Sequence, residues 1–297
     1  MNPDGGRRAW RDGADPETPG SVGHHGCVPV SSSLLAEFLA PDPGEWEPVT
    51  GGESGASVFH DHRQQRYAKV VSTAHVAELA AERDRSVWLG QTVIPSAPVL
   101  DWHESDAGAC LVTRAVPGTP ASHLDARALR RAWPSIADTV RALHRLDRDL
   151  CPFDRGLAQM MPLAEASVAE GRVIVEFLPV ALQRTPPRQI LDQIEAELPV
   201  RFDQERSELV VCHGDLCLPN ILVDRNTGQV EALIDLGRLG RADPYGDIAL
   251  LLATSREIWS DDEAMTRRAD EEFAEIYGTS LDQERRDFYL RLDPLTW

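Results

Sequence analysis

A polar centre stands between two apolar runs in the stretch VVCHGDLCLPNILVD, from Val210 to Asp224. Asp215 and Asn220 are five positions apart, and the apolar runs on either side predict two short strands joined by a tight loop. A carboxylate on such a loop can orient an attacking hydroxyl and accept its proton, while a carboxamide oxygen is a hard ligand for Mg²⁺. The D-L-x-x-x-N spacing is that of a phosphoryl-transfer catalytic loop.

A second carboxylate suited to the same chemistry follows fifteen residues after Asn220, in the segment ALIDLGR. Asp235 stands after another short apolar run, and an Asp-x-Gly at this place follows the catalytic loop of kinases. Asp235 and Asn220 together offer the few oxygen ligands that Mg²⁺ prefers. A single Asp or Asn on a loop is usually a turn former, so the prediction rests on the order and spacing of the whole set.

Lys69 lies in the alternating stretch RYAKVVS, which predicts a strand, and it is the only Lys among 30 basic residues. A compact ammonium kept in an Arg-rich chain indicates a point charge that Arg cannot replace. A biased codon usage would also explain the scarcity of Lys, and a strand Lys is often an exposed edge residue. Glu82, on a predicted helix, is placed to pair with Lys69, or else to pair with a neighbouring Arg on the helix surface.

The segment 51–55, GGESG, precedes the first of these strands and contains Ser54. A glycine-rich turn lets backbone N–H groups approach phosphate oxygens closely, although the same residues also suit an ordinary hairpin turn. The glycine-rich turn, strand Lys, helix Glu, catalytic loop and Asp-x-Gly occur in this order along the chain. The combined order predicts ATP-dependent phosphoryl transfer more strongly than any one of its parts.

The composition of the 297 residues restricts the class of partner. The formal net charge is −18 and the sequence pI is near 4.9, so nucleic acid and anionic membranes are poor partners and a small cation is a better one. The acidity alone is equally typical of a protein that simply has to stay in solution. The sequence contains no apolar run long enough to span a membrane and no apolar core of a signal peptide. We expect the protein to be a monomer.

Five Cys residues are scattered along the chain without a pairing pattern, which indicates reduced thiols and a cytoplasmic protein. Cys212, His213 and Cys217 are close in sequence, as zinc ligands often are. No second Cys/His pair follows them, so the spacing disfavours a structural zinc site.

The hydrophobic pattern divides the chain into three parts. Residues 1–30 are rich in Gly, Pro and Asp and are predicted to be a disordered tail. Residues 31–116 predict a small β-rich N-lobe, and 117–297 a larger, mostly helical C-lobe, which gives an α+β fold in two lobes. We expect Leu79, Val87 and Trp88 to face a core, and we expect a helix over residues 189–197.

Taken together, residues 45–297 resemble the aminoglycoside phosphotransferases. The likeness rests on the segments GGESGASVF, YAKV, AERDRSVWL, CHGDLCLPNILVD, ALIDLGRLGRADPYGDIALL and FYLRLDPLTW. Protein kinases usually have Arg where Gly214 stands and Phe where Leu236 stands, and no A-P-E segment follows Asp235. The likeness is strongest to members that phosphorylate the 3″-hydroxyl of streptomycin and thereby confer resistance.

The resemblance implies a bilobal protein-kinase-like fold with ATP between the lobes. It also implies a role for each matched residue: Asp215 as catalytic base, Asn220 and Asp235 as Mg²⁺ ligands, Lys69 and Glu82 as the phosphate-clamping pair, Ser54 over the phosphates, Thr113 and Ala115 beside adenine, Asp247 as a brace of the catalytic loop, and Arg238, Asp293 and the terminal carboxylate of Trp297 near the aminoglycoside.

One segment departs from the family pattern. The insert VIVEFLPVALQRTPP is mostly apolar and offers only Glu176, whereas relatives acting on kanamycin-type substrates have an acidic stretch there. Streptomycin carries two guanidinium groups, so we expect carboxylates in its cleft. The alternatives are another small-molecule kinase of this fold, acting on a kanamycin-type aminoglycoside, a macrolide, a sugar or choline, and an inactive kinase-like binding protein.

Overall fold

The computed structural model describes residues 32–39, 44–49, 56–259 and 262–297 of the chain. The predicted tail and the glycine-rich turn with Ser54 lie outside these residues. No helix in the described part of the chain is long and apolar enough to cross a membrane.

The first part of the described chain is an antiparallel sheet accompanied by two helices. Its elements are α1 (Ser32–Leu39), β1 (Trp46–Val49), β2 (Ser57–Asp61), β3 (Arg66–Ser72), α2 (Val76–Leu89), β4 (Val99–Ser105) and β5 (Gly108–Arg114). The strand order is β1-β2-β3-β5-β4, so β3 lies in the centre, paired with β5 along its whole length and with β2 from Arg66 to Val70.

The alternation in β3 decides which residues face which helix. Ala68 and Val70 are buried in a cluster with residues of α1, whereas Val71 packs in a second cluster with Leu79 of α2. Because successive side chains of a strand point to opposite faces, Lys69 shares the face of Val71 and points towards α2.

The core face of α2 differs in part from the prediction. Leu79 is buried as expected, and Trp88 packs at the edge of the C-terminal core, but Val87 is 44% exposed. The buried positions are Leu79, Ser86 and Leu89. At about 100° per residue, Ser86 and Leu89 fall on one side of Leu79 and Val87 falls about 80° to the other side, which turns it towards solvent.

The second part of the chain is mostly helical and carries two small sheets. Its elements are β6 (Thr119–Pro120), α3 (Ala126–His144), α4 (Leu157–Ala169), α5 (Pro187–Glu208), β7 (Val210–Cys212), β8 (Ile221–Val223), β9 (Val230–Leu233), β10 (Gly240–Ala242), α6 (Tyr245–Ile258), α7 (Glu263–Tyr277), α8 (Gln283–Leu292) and a closing 3₁₀ helix (Asp293–Thr296). One sheet has the order β6-β8-β9, and the other pairs β10 with β7.

Helix α5 is longer than the predicted 189–197 and contains Pro199 in its interior. A proline inside a helix lacks the N–H that would bond to the carbonyl four residues earlier. Arg201 is buried and donates to Glu197 at 2.7 Å, and Glu197 also accepts from Arg291 of α8 at 2.6 Å. This ion-pair network therefore joins the two halves of the helix across the proline.

The chain changes sheet near Pro117 and Gly118. Strand β5 ends at Arg114 in the first sheet, and β6 pairs with β8 in the second. The N–H of Leu233 also donates to the carbonyl of Pro95 at 2.9 Å, so the two parts meet through backbone as well as side chains. A division into two lobes after residue 116 remains our proposal.

Helix α3 forms the centre of the C-terminal core. Trp133, Ile136, Val140, Leu143 and Leu146 recur at helical spacing in the sequence. The first four are buried in α3 as this pattern predicts, whereas Leu146 lies beyond the end of the helix and is only partly buried against the same core. The Trp133 ring meets Trp259 edge to face with ring centroids 5.0 Å apart, and its Nε1 donates to the carbonyl of Ala269 at 2.8 Å. One side chain thus joins α3 to both α6 and α7.

We predict that Trp133→Ala lowers the free energy of unfolding by about 3–5 kcal/mol, because the cavity left by a buried indole is only partly refilled. Urea unfolding followed by circular dichroism measures the change. Val93→Ala is the control, since Val93 is 85% exposed and its truncation removes little buried area. A loss below about 1 kcal/mol for Trp133→Ala would contradict the central role of this ring.

Candidate active site

The catalytic loop leaves β7 at Cys212 and closes with a 3₁₀ turn, Leu218–Asn220, directly before β8. Asp215 and Asn220 are both buried. The Nδ2 group of Asn220 donates to the Asp215 carbonyl at 2.9 Å and to its Oδ2 atom at 3.1 Å. These two bonds fix the direction of the Asp215 carboxylate and turn the Oδ1 atom of Asn220 away from it.

Asp247, on α6, anchors the start of this loop through hydrogen bonds. Its carboxylate accepts the backbone N–H groups of His213 at 2.7 Å and Gly214 at 2.9 Å. The ring of His144 donates from Nε2 to the same carboxylate at 3.1 Å and accepts at Nδ1 from the Tyr277 hydroxyl at 2.7 Å. Burial raises the pKa of Asp247, but the His144 ring and these N–H groups outweigh it and hold that pKa below its ordinary value.

Cys212 has different neighbours from those that the sequence spacing suggests. Cys212 lies with His144 and Asp247 rather than with His213 and Cys217 as a possible ligand set, and it is the only such cluster in the described residues. Its thiol donates to the Asp243 carbonyl at 3.3 Å, and burial keeps the pKa of that thiol well above its ordinary value. A protonated thiol with a hydrogen-bond partner is a structural feature of the core rather than a metal ligand.

Gly214 allows the catalytic loop to touch the turn that carries Asp235. Its φ is +82°, and an added Cβ would lie 2.1 Å from the carbonyl oxygen of Arg238. No residue with a side chain fits that distance, and the positive φ itself disfavours one. The glycine of His-Gly-Asp therefore sets how closely the two polar loops approach.

Lys69 joins three separate elements through its ammonium group. Its Nζ donates to Oε2 of Glu82, on α2, at 2.7 Å and to Oδ1 of Asp235 at 3.1 Å. Asp235 follows β9 in a left-handed conformation with φ 59°. Burial lowers the pKa of Lys69, but the two carboxylates outweigh it and raise that pKa above its ordinary value, so the ammonium stays charged.

The pKa of the Asp215 carboxylate is raised towards neutral pH. Burial, followed by the charge of Asp293, raises its pKa to about 6, while His213 and Arg238 act in the opposite direction. A carboxylate with a raised pKa is a stronger base than a solvated one and is still mostly ionised at pH 7.

The C-terminal residues meet Arg238 at the side of the catalytic loop. The Arg238 guanidinium lies over the Trp297 ring at 3.4 Å from its centroid and is 3.5 Å from Oδ1 of Asp293. Trp297 Nε1 donates to Asp293 Oδ2 at 3.4 Å. The main-chain oxygen of Trp297 accepts from Ser167 and Arg172 instead, so this oxygen is engaged within the protein.

The predicted adenine contacts lie at the end of β5. Thr113 is directly opposite Tyr67 of β3, and the N–H of Ala115 donates to the carbonyl of Gln65 at 2.8 Å. Because Tyr67 precedes Lys69 by two residues, the two side chains share one face of β3. Tyr67 is 36% exposed and stacks on the ring of His60.

Sequence reasoning missed two residues of this region. Tyr67 had a signal, because the alternation in YAK places it on the face of Lys69. Arg155 had none, since the segment CPFDRG shows neither periodicity nor a motif, yet its guanidinium is buried close to Asp293 and Asp215.

Comparison with known proteins identifies the family of this chain. A family model described as a phosphotransferase enzyme family matches residues 45–289. The chain belongs to this family. The resemblance to aminoglycoside phosphotransferases and the α+β, protein-kinase-like fold expected from the sequence are both confirmed.

Several relatives of this phosphotransferase have known activities or structures. Streptomycin 3″-kinase from Streptomyces griseus is 54% identical over 254 residues, which cover 86% of this chain and 93% of that protein. An aminoglycoside 3′-phosphotransferase from Streptomyces fradiae is 37% identical and covers 84% of this chain and 94% of that protein. The aminoglycoside phosphotransferase APH(3″)-Id from Streptomyces rimosus has a TM-score of 0.85 at 50% identity, covering 90% of this chain and 97% of that one, and a second structure of it holds ADP and streptomycin.

We predict that Gly214→Ala destabilises this phosphotransferase by more than the roughly 1–3 kcal/mol that a strained φ alone costs, because the new methyl group would also displace the Arg238 carbonyl. Thermal unfolding and urea unfolding measure the loss. Gly171→Ala is the matched control, since Gly171 has φ +66° with no atom near its added Cβ. Equal losses in the two variants would show that the close contact with Arg238 contributes nothing.

Proposed function

We propose that this phosphotransferase transfers the γ-phosphoryl group of ATP to the 3″-hydroxyl of streptomycin. The observation that carries the proposal is that Lys69 bonds to Asp235 and Asn220 bonds to Asp215, while the N–H of Ile234, next to Asp235, donates to the Asn220 carbonyl at 3.0 Å. The identity of more than half of the aligned residues with the Streptomyces griseus streptomycin 3″-kinase supports the choice of acceptor.

Asp215 is proposed as the base for the acceptor hydroxyl. The hydroxyl oxygen forms a bond to the γ-phosphorus as the bond from that phosphorus to the β,γ-bridging oxygen breaks, and ADP leaves. The hydroxyl proton passes to the Asp215 carboxylate. Asn220 keeps the carboxylate oriented during this transfer, because its Nδ2 is bonded to both the carbonyl and the side chain of Asp215.

Asn220 and Asp235 are proposed to hold Mg²⁺. Their donor atoms fit the ion, since a carboxamide oxygen and a carboxylate are hard ligands and the Nδ2 bonds of Asn220 leave its Oδ1 facing away from Asp215. The bound ion would neutralise developing charge on the phosphate oxygens. Asp235 stays ionised for this role, because Lys69 offsets the effect of burial and keeps the Asp235 pKa below its ordinary value.

The nucleotide is proposed to lie between β3 and the catalytic loop. Lys69, held by Glu82, would contact the phosphates, and Ser54 would lie over them. The base would meet the backbone near Thr113 and Ala115. The exposed ring of Tyr67 offers it an apolar face two residues from Lys69.

The acceptor is proposed to bind beside the C-terminal turn, where Asp293 supplies a carboxylate for a guanidinium group. The insert after α4 is mostly apolar, and its Phe177 ring meets Trp297 edge to face at 6.1 Å. An acidic protein would also attract a polycation and speed its encounter. The biological outcome would be inactivation of the antibiotic in the cytoplasm, where ATP and Mg²⁺ are present.

We predict that incubation with streptomycin, ATP and Mg²⁺ adds one phosphate to the antibiotic, and that fragmentation in the mass spectrometer locates it at the 3″ position. Asp215→Ala is expected to abolish this product while still binding ATP in a calorimetric titration, because the base does not hold the nucleotide. Kanamycin, a macrolide and choline serve as comparison acceptors. Phosphorylation of kanamycin without phosphorylation of streptomycin would refute the proposed acceptor.

We also predict an acid limb in the pH profile of kcat/KM near pH 6, because Asp215 has to be ionised to accept a proton and its pKa is raised to about 6. In Asp293→Asn the neighbouring charge is gone, so the Asp215 pKa falls and the limb moves to lower pH even if the rate itself drops. Asp287→Asn, which removes an exposed carboxylate of α8, is the control and should leave the limb in place. A limb that does not move in Asp293→Asn would separate Asp293 from the base.

A further inference from the structure

Arg155 lies in a short segment directly before α4, and hydrogen bonds of its backbone N–H groups hold this segment in place. Its own N–H donates to the carbonyl of Arg241 at 3.0 Å. The next two N–H groups, of Gly156 and Leu157, donate to Asp154 Oδ1 and Glu205 Oε2, both at 2.8 Å. Three consecutive amides are therefore bonded to three different partners, which fixes the point from which the Arg155 side chain leaves the backbone.

The Arg155 side chain is 8% exposed and reaches the closing 3₁₀ helix. Its NH2 group donates to Oγ1 of Thr296 at 2.9 Å, and that hydroxyl donates in turn to the carbonyl of Asp293 at 2.9 Å. The Nε atom has no hydrogen-bond partner among the described residues. An incompletely bonded guanidinium in the interior costs stability, so stability alone does not explain why Arg stands at this position.

The charged side chains around Arg155 are those of the proposed acceptor site. Burial, followed by the repulsion of Arg238, lowers its pKa to about 10, while the carboxylates of Asp293 and Asp215 act in the opposite direction. The guanidinium still carries its charge at neutral pH and lies within the field of both carboxylates.

We propose that Arg155 is a positioning residue that holds the 3₁₀ helix Asp293–Thr296 in the orientation that presents Asp293 to the acceptor. Buried Leu295 fixes how deeply this helix sits in the core. Pro294 and Thr296 are buried beside it, and Arg238 reaches the Thr296 carbonyl. The bond from Arg155 to the Thr296 hydroxyl adds a link to the Asp293 carbonyl, because that hydroxyl donates to it. The inference rests on the proposed function, because it assigns Asp293 to acceptor binding.

The test compares steady-state constants of Arg155→Met and Thr296→Val with those of the wild type. We expect KM for streptomycin to rise about tenfold in each, as for the loss of one charge-assisted hydrogen bond, and KM for ATP to stay within about twofold. Thr296→Ser keeps the hydroxyl and should restore KM for streptomycin. Arg206→Met removes an exposed Arg of α5 and controls for the loss of positive charge.

A double-mutant cycle with Asp293→Asn distinguishes positioning from general structural damage. If Arg155 acts through Asp293, Arg155→Met adds little to the KM of Asp293→Asn, so the two effects fall well short of additivity. Fully additive effects, or equal rises in KM for ATP and streptomycin, would overturn the inference. If Arg155→Met fails to fold, the same cycle with Thr296→Val decides the question.

Failure of the proposed function gives a different result. A wild type that phosphorylates another aminoglycoside and not streptomycin refutes the proposed acceptor, and the cycle is then measured with the aminoglycoside that it uses. A wild type that phosphorylates streptomycin, together with an unchanged KM in both Arg155→Met and Thr296→Val, refutes the role of Arg155 alone.

Discussion

The active centre depends on one ammonium group between two carboxylates. Lys69 is bonded to Glu82 and to Asp235, which stands 166 positions further along the chain. Without the cation, the partly buried Glu82 and the more exposed Asp235 would repel each other, which favours protonation of Glu82. Burial and the charge of Asp235 raise the pKa of Glu82, whereas Lys69 lowers the pKa of Asp235 and joins the first sheet to the turn after β9.

In the rest of the site, contacts of backbone groups, rather than of long side chains, determine how closely the loops around this ammonium group approach each other. Asp247 binds two successive N–H groups at the start of the catalytic loop, and Gly214 lets that loop lie against the carbonyl of Arg238. A buried carboxylate with several donors has few alternative positions. The loop that carries Asp215 and the turn that follows Asp235 are therefore in contact through backbone atoms, which would limit side-chain motion between the two residues in the proposed reaction.

The sequence predicts the local elements and the order of chemical groups because both are short-range properties. The alternation around Lys69 and the helical repeat from Trp133 to Leu143 each depend on neighbouring residues. The bond from Arg155 to Thr296 joins residues 141 positions apart, and no local pattern encodes such a contact. The continuation of α5 through Pro199 is accompanied by an ion pair within the helix, from Arg201 to Glu197, and by a tertiary one from Arg291 to Glu197, which the local helix-breaking signal does not anticipate.

The charge of Asp293 connects acceptor binding with proton transfer to Asp215 in the proposed reaction. Asp293 raises the pKa of Asp215, and the same carboxylate is the one proposed to attract a guanidinium. A cation bound there would offset the charge of Asp293 and lower the Asp215 pKa again, so the base would be more fully ionised when the acceptor is present than when it is absent. Arg238 does not supply this effect fully in the free protein, because its guanidinium is also shared with the Trp297 ring and the Thr296 carbonyl. The closing helix, whose orientation we attribute to Arg155, would then contribute to proton transfer as well as to acceptor binding.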